Sequence, residues 1–362
     1  MKATGRIRMV GRMHVTIDRT LGYSPLMKCL TTTLTFGTML SLIIGGPAFA
    51  QPVPGRPTSA PELSKPAAPP PTVVQKVRDA IAEPDFKKAE RLVLNDMADN
   101  GTTPIAIEAF SWLGRGAVAA KMYDDALAYA HRTYAIVEEQ LKTRKLDDEA
   151  RLPIALGAAI EVIALATAGQ GGRSDAILYL RRELDTYKDT SLVERINKNI
   201  NLLSLEGTPA LPLASSTWIG APPPSLADLK GKPVIVYLWA HWCPDCKIQG
   251  PILESLLQKY QGTGLTLVAP TKFYGYVAKR QPAGQAEELA YLTGIRDSVY
   301  PWMTTTPVPI SDEIFDQYGV STTPTLVLID RAGQVSKFNP GRMTAEQLEP
   351  LILAIIAPSS AK

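Results

Sequence analysis

One short stretch dictates most of what this chain can become. Val234-Ile235-Val236-Tyr237-Leu238-Trp239 is an unbroken apolar run, with the length and composition of a strand buried on both faces. Ala240-His241-Trp242 then leads into Cys243-Pro244-Asp245-Cys246. The pattern predicts a helix that begins at or just after Cys243 and runs to about Tyr260. A sulfur at a helix N-terminus faces unpaired N–H groups and the positive end of the macrodipole, both of which favour thiolate over thiol. Thiolate is the attacking species in disulfide exchange. Cys243 is therefore the expected nucleophile. Cys246, one helical turn on, is positioned to resolve a mixed disulfide.

Cysteine and histidine usage bears on the choice between redox and metal chemistry. The chain has three of each. Cys29 and His14 lie near the N-terminus, so the body keeps only Cys243, Cys246, His131 and His241. Two cysteines with no His pair at ligand spacing do not complete a zinc site, although a lone C-x-x-C can be half of one. No metal is expected, and no cofactor beyond the Cys243/Cys246 couple itself.

Around this motif the pattern is mixed. Leu265-Thr266-Leu267-Val268 and Thr325-Leu326-Val327-Leu328-Ile329 read as further strands. Asp330-Arg331-Ala332-Gly333 is a turn into Gln334-Val335-Ser336-Lys337-Phe338, which predicts a hairpin. Thr344-Ala345-Glu346-Gln347 has the form of a capping box and starts a final amphipathic helix to about Ile356. Strands interleaved with helices predict a central sheet covered on both faces.

With these residues in place, 217–358 resembles a thioredoxin-fold domain of the TlpA/ResA type. The resemblance rests on Leu229-Lys230-Gly231-Lys232, Trp239-Ala240-x-Trp242-Cys243-x-x-Cys246-Lys247, Pro251 within the helix, Tyr318-Gly319-Val320, Thr323-Pro324-Thr325 and Gly341. It implies catalysis by Cys243 and Cys246, supported by Trp242, Pro244, Asp245, Thr323 and Pro324. It also implies a cis bond at Pro324 that exposes the backbone of Thr323 for substrate pairing. Two departures stand out. The buried Asp usual in thioredoxins is replaced by Tyr237, and the Glu usual in ResA-like proteins by Gln249. Asp245 and His241 are the remaining candidates to assist the cysteines, with an exposed loop position as the plainer reading of His241. Residues 271–312 read as an insertion, with Tyr274-Gly275-Tyr276, a helix near 284–295 and Tyr300-Pro301-Trp302. Those aromatics either line a substrate groove or pack the insertion onto the core.

The N-terminal half is of another kind. Residues 73–206 carry Ala and Leu at three- and four-residue steps, which predicts helices near 74–82, 85–98, 104–120, 123–143, 151–169, 173–187 and 190–204. Gly114, Tyr123 and Ala126 faintly resemble the small and aromatic positions of a tetratricopeptide repeat, and Ala164 and Ala176 repeat the gap. The spacing between units is unsteady, so a plain helical bundle stands equally. Either form offers a surface to a protein partner. The expected fold class is thus multidomain: an all-α, repeat-like helical domain, then an α/β thioredoxin fold with a central mixed sheet flanked by helices. Residues 207–216 are expected to link the two.

Residues 1–50 read as a leader. A mostly apolar stretch over 29–46 precedes Ala48-Phe49-Ala50, a signal-peptidase pattern, and Met27-Lys28 is a plausible internal start. The alternative is an uncleaved membrane anchor facing the periplasm. Prolines 52, 54, 57, 61, 66 and 69–71 make 51–72 a semi-rigid linker. The leader holds six basic residues against Asp18. Removing these from the chain's 38 basic and 35 acidic residues leaves 32 and 34, so the net +3 of the whole belongs to the leader. With no basic groove, no nucleic-acid partner is expected. The expectation is a periplasmic or otherwise extracytoplasmic enzyme that reduces disulfides in exported proteins, with electrons from a membrane thiol donor. The same motif run as an oxidase, and a helical scaffold with a redox-sensitive adaptor domain, are the alternatives.

Overall fold

The first described helices owe their starts to local chemistry. In the computed structural model, which describes residues 70–357, Thr72, Asp85 and Thr103 cap α1 (Val73–Ala82), α2 (Phe86–Asn100) and α3 (Pro104–Ala119). Each side-chain oxygen accepts a hydrogen bond from a first-turn N–H. The leader, Met27, Cys29 and residues 51–69 of the linker lie outside the described residues.

α4 (Tyr123–Leu141), α5 (Arg151–Gly169), α6 (Arg173–Thr186) and α7 (Val193–Ser204) complete the all-α region. α5 is apolar on every side because it is the centre: α3, α4, α6 and α7 all pack on it. It is long and apolar enough to cross a membrane, yet most of it is buried inside the bundle. Gly114 lets α3 approach the α4 backbone closely, with Ala126 and Ala130 opposite.

The α/β region follows: β1 (Thr217–Ile219), β2 (Val234–Leu238), α8 (Pro244–Lys259), β3 (Thr266–Val268), α9 (Gln285–Val299), β4 (Val308–Ile310), α10 (Asp312–Tyr318), β5 (Thr325–Ile329), β6 (Val335–Pro340) and α11 (Ala345–Ile356). The main sheet has the order β3-β2-β5-β6, with β2 and β3 parallel and the other pairs antiparallel. All five β2 residues are buried. Ile235 and Tyr237 enter a core with Leu253 and Leu256 of α8 and Ile352 of α11. Val234, Val236 and Leu238 enter a second core, on the opposite face, with Phe315 and Tyr318 of α10.

One expectation needs correction. The start of the expected 207–216 link is paired rather than free. Gly207 and Ala210 N–H groups donate to the carbonyls of Val335 and Gly333, and Val335 N–H donates to Thr208 O, so this stretch edges β6. The insertion packs onto the core. Its β4 pairs antiparallel with β1, and Ala269 and Thr271 N–H groups donate to the carbonyls of Pro307 and Pro309. These contacts set a separate two-stranded sheet, β1-β4, against the chain that leaves β3.

The helical and α/β regions belong to one compact unit. α7 docks on the end of α10, where Asn197 and Asn201 side-chain amides donate to the carbonyls of Asp316 and Gln317 at 3.1 and 2.9 Å. Lys272 pairs with Glu194, and Lys337 with Glu206 at 2.9 Å. Gly319 closes α10 in the left-handed region at φ 63°. A Cβ there would lie 2.1 Å from the backbone nitrogen of Lys198, so this glycine serves both the turn and the interface.

Candidate active site

The site forms where β2 stops and α8 starts. Trp239, at the end of β2, is fully buried, and its indole N–H donates to Ala269 O at 3.0 Å. Thr271 Oγ1 donates to Trp239 O at 2.9 Å. These two bonds tie the strand end to the insertion and set the direction in which the chain leaves.

Cys243 is the N-cap of α8 and Pro244 its first residue, where proline's missing N–H costs nothing. The sulfur takes the place of a capping oxygen: Cys246 N–H donates to Cys243 Sγ at 3.3 Å. On its other side the thiol meets Thr323 O at 3.2 Å. The Thr323–Pro324 bond is cis. Both cysteines are reduced and buried. The hydrogen bond with the Cys246 thiol is the main reason the Cys243 thiol is lowered to about 6; burial opposes it, and the contact with Thr323 and the Cys246 and Asp245 N–H groups assist. Burial pushes Cys246 strongly the other way, reinforced by the neighbouring Cys243. The pair is thus arranged as one thiolate and one thiol.

The remaining predicted residues divide. Trp242 is 46% exposed and leans edge-on against Tyr274. Asp245 is exposed, with Arg342 Nε 3.5 Å away, so it faces solvent and a cation. His241 is only 3% exposed, which overturns its reading as an exposed loop residue. It sits edge-on to Tyr274, Tyr276 and Tyr291, with Nε2 3.5 Å from Glu288. Burial lowers its pKa despite Glu288, so it is neutral at pH 7 and lends no positive charge to the thiolate.

Several further residues complete the site, of which Glu288 alone carries no signal in the sequence. Tyr237 O–H donates to the backbone carbonyl of Cys246 at 2.8 Å. Tyr300, fully buried, packs edge-on to Trp239. Burial pushes both phenols up, so both stay neutral. Gln249 is completely buried, and its Oε1 accepts from Met343 N–H at 2.8 Å. Glu288 is fully buried and accepts the N–H groups of Tyr274 and Gly275 at 2.6 and 2.8 Å. Only the fold brings α9 to the start of α8.

Comparison with known proteins agrees with this arrangement. A family model described as a thioredoxin-like domain matches residues 225–356. Thiol-disulfide oxidoreductase ResA of Geobacillus thermodenitrificans is 31% identical over 126 residues, which cover 34% of this chain and 63% of that protein. ResA of Bacillus thuringiensis subsp. konkukian is 31% identical over 132 residues, covering 36% of this chain and 67% of that one. The chain belongs to the ResA-type thioredoxin-like family. The match lies wholly in the α/β region, and the chain spans just under two thirds of the first of these relatives. A solved thiol:disulfide interchange protein of the thioredoxin family from Chlorobium tepidum aligns over 41% of this chain and 97% of its own, at 23% identity and a TM-score of 0.33.

Proposed function

We propose that this protein is an exported thiol-disulfide oxidoreductase that reduces disulfides in extracytoplasmic proteins. The observation that carries the reading is the N-cap position of Cys243 Sγ, held near pKa 6 beside Cys246 and facing the Thr323 carbonyl. The leader pattern and the names of the ResA relatives support the location and the chemistry. In the proposed reaction the Cys243 thiolate attacks one sulfur of a substrate disulfide. A mixed disulfide forms and the second substrate sulfur leaves as thiolate. Cys246 then attacks Cys243 Sγ, expels the first substrate sulfur and gives up its proton to a substrate thiolate. The substrate gains two electrons and the enzyme holds a Cys243–Cys246 disulfide. A membrane thiol donor would return the electrons. Thr323 and Pro324 hold substrate backbone beside Cys243. Pro244 and Asp245 open the helix, and Trp242 borders the entrance.

A nucleophile near 6 lies closer to thioredoxin, at about 7, than to the oxidant DsbA, at about 3.5. This favours the reductive direction over the oxidase alternative. A reduction potential near about −270 mV is expected, and one near about −120 mV would reverse the direction. Insulin disulfide reduction should vanish in Cys243→Ser; surviving turnover would sink the enzyme reading in favour of a scaffold. A Cys246→Ser variant should accumulate mixed disulfides with exported proteins.

A further inference from the structure

Beside Trp242 the insertion builds a cleft of about 320 Å³. Trp242, Tyr276 and Tyr291 form aromatic walls, and Lys247, Lys279 and Arg280 supply its charge. None of its lining residues is acidic. All three cations are exposed, and among the described residues none is ion-paired. Trp242 directly precedes Cys243 and Lys247 directly follows Cys246, so the cleft borders the segment that carries both sulfurs.

The other two cations sit in an unusual backbone. Tyr276 bridges Pro282, and Gln281 N–H donates to Ala278 O at 3.1 Å, closing a tight turn around Lys279 and Arg280. Both central residues have positive φ, 55° and 59°. Such a turn favours Asn and Gly, because other residues pay about 1 kcal/mol each for the left-handed region. Here it carries two long cations instead. The hairpin is also anchored: Glu288 holds the N–H groups of Tyr274 and Gly275 at its base. A strained, anchored tip that presents unpaired charge beside a reactive centre is the pattern of a recognition element.

We propose that this hairpin selects protein disulfides flanked by acidic residues. Carboxylates near the substrate cysteine meet Lys247, Lys279 and Arg280, while an apolar neighbour lies against Trp242 and Tyr276. The inference rests on Cys243 as the nucleophile that engages substrate disulfides. It assigns the substrate class by charge and adds no chemical step.

The test uses the full chain and peptide disulfides that differ only in the residues flanking the cysteine: Asp/Glu, Ser or Lys. The acidic peptide should react at least about tenfold faster in kcat/KM than the basic one at ~10 mM ionic strength, and the ratio should collapse above ~0.5 M. A Lys279→Asn/Arg280→Gly variant keeps the turn with residues that suit it, and should lose most of the preference. Lys279→Glu/Arg280→Glu should invert it. Equal rates for acidic and basic peptides in the natural protein, or an undiminished preference in the Asn/Gly variant, would overturn the proposal. Absence of reaction with every peptide is a different result and would overturn the oxidoreductase reading beneath it.

Discussion

The helical and α/β regions bury polar groups in opposite ways. In the helical region the largely buried Glu161 pairs with Lys198 at 2.9 Å and Arg195 at 3.0 Å, with the Asn199 amide also directed at it. Burial alone would push this carboxyl up, but Lys198 and Arg195 overcome it and hold it at about 2. Around the cysteines most buried groups are uncharged, namely Tyr237, Tyr300, Gln249 and a neutral His241, while the buried acid Glu288 lies behind His241, held by the N–H groups of Tyr274 and Gly275. A fixed network of full charges suits a scaffold, because no protonation change is wanted there. A largely neutral buried surround suits a redox site, because few buried charges then compete with the Cys243 thiolate. The contrast shows that the same cost of burial is met by pairing where structure is needed and by neutrality where chemistry is needed.

The most severe way to break this contrast is at Gly319. α7 carries both Lys198, which serves the ion network, and Asn197 and Asn201, which grip α10. Gly319→Val places a side chain into the α7 backbone and at positive φ. The cost should exceed about 3 kcal/mol, read as a lowered urea midpoint and new proteolytic cleavage near 204–210. An unchanged midpoint would show that the two regions do not stabilise each other. Next in size, Glu161→Gln strands two buried cations and should cost about 3 kcal/mol. The same group predicts the acid limb of stability. Its folded pKa of about 2 lies below the unfolded value, taken as 4.5. The stabilisation, about 3 kcal/mol, is therefore full above pH ~4.5 and is lost as pH falls toward 2. The variant should lack this limb.

How much of this was legible beforehand depends on whether the cause was local. The Val234–Trp239 run and the cysteines after it are local, and so is the capping box at Thr344. These fix strand, helix starts and the reactive pair by periodicity and chemistry within a few residues. β1 and β4 are not local. Each is three residues long, β4 contains Pro309, and each is held as a strand by partners distant in the chain, β1 by β4 and β4 by both β1 and the segment at Ala269–Thr271. Glu288 likewise sits in an unremarkable segment until α9 is folded against β2 and α8, and only that packing shows Tyr300 to be a core residue against Trp239. Tyr237 and Gln249 could be named as departures, but their effect could not be read. Only the geometry shows Tyr237 bonded to the Cys246 carbonyl and Gln249 committed to Met343.

Smaller changes sharpen the neutral side of the comparison. Tyr237→Phe removes one buried hydrogen bond to the Cys246 carbonyl while keeping the ring, and should cost about 1 kcal/mol. If its loss also slows release of substrate from a preformed mixed disulfide, the phenol acts on Cys246 as well as on the fold. The finest measurement is the pH profile of alkylation. Cys243 should react with iodoacetamide along a curve whose midpoint is about 6, against an ordinary thiol value of 9.0. Cys246, pushed upward by burial, should stay unmodified across the same range. At pH 7 the thiolate fraction of Cys243 is then about 90%, against about 1% for an unperturbed thiol of pKa 9. The net rate gain is much smaller. Intrinsic nucleophilicity falls as pKa falls, by roughly 20- to 30-fold over three units, which leaves an advantage of about three- to fivefold. The arrangement therefore gives modest speed and strong selectivity between two sulfurs one helical turn apart. Equal alkylation of both would mean that the neutral surround does not separate them, and the contrast with the charged helical core would lose its functional meaning.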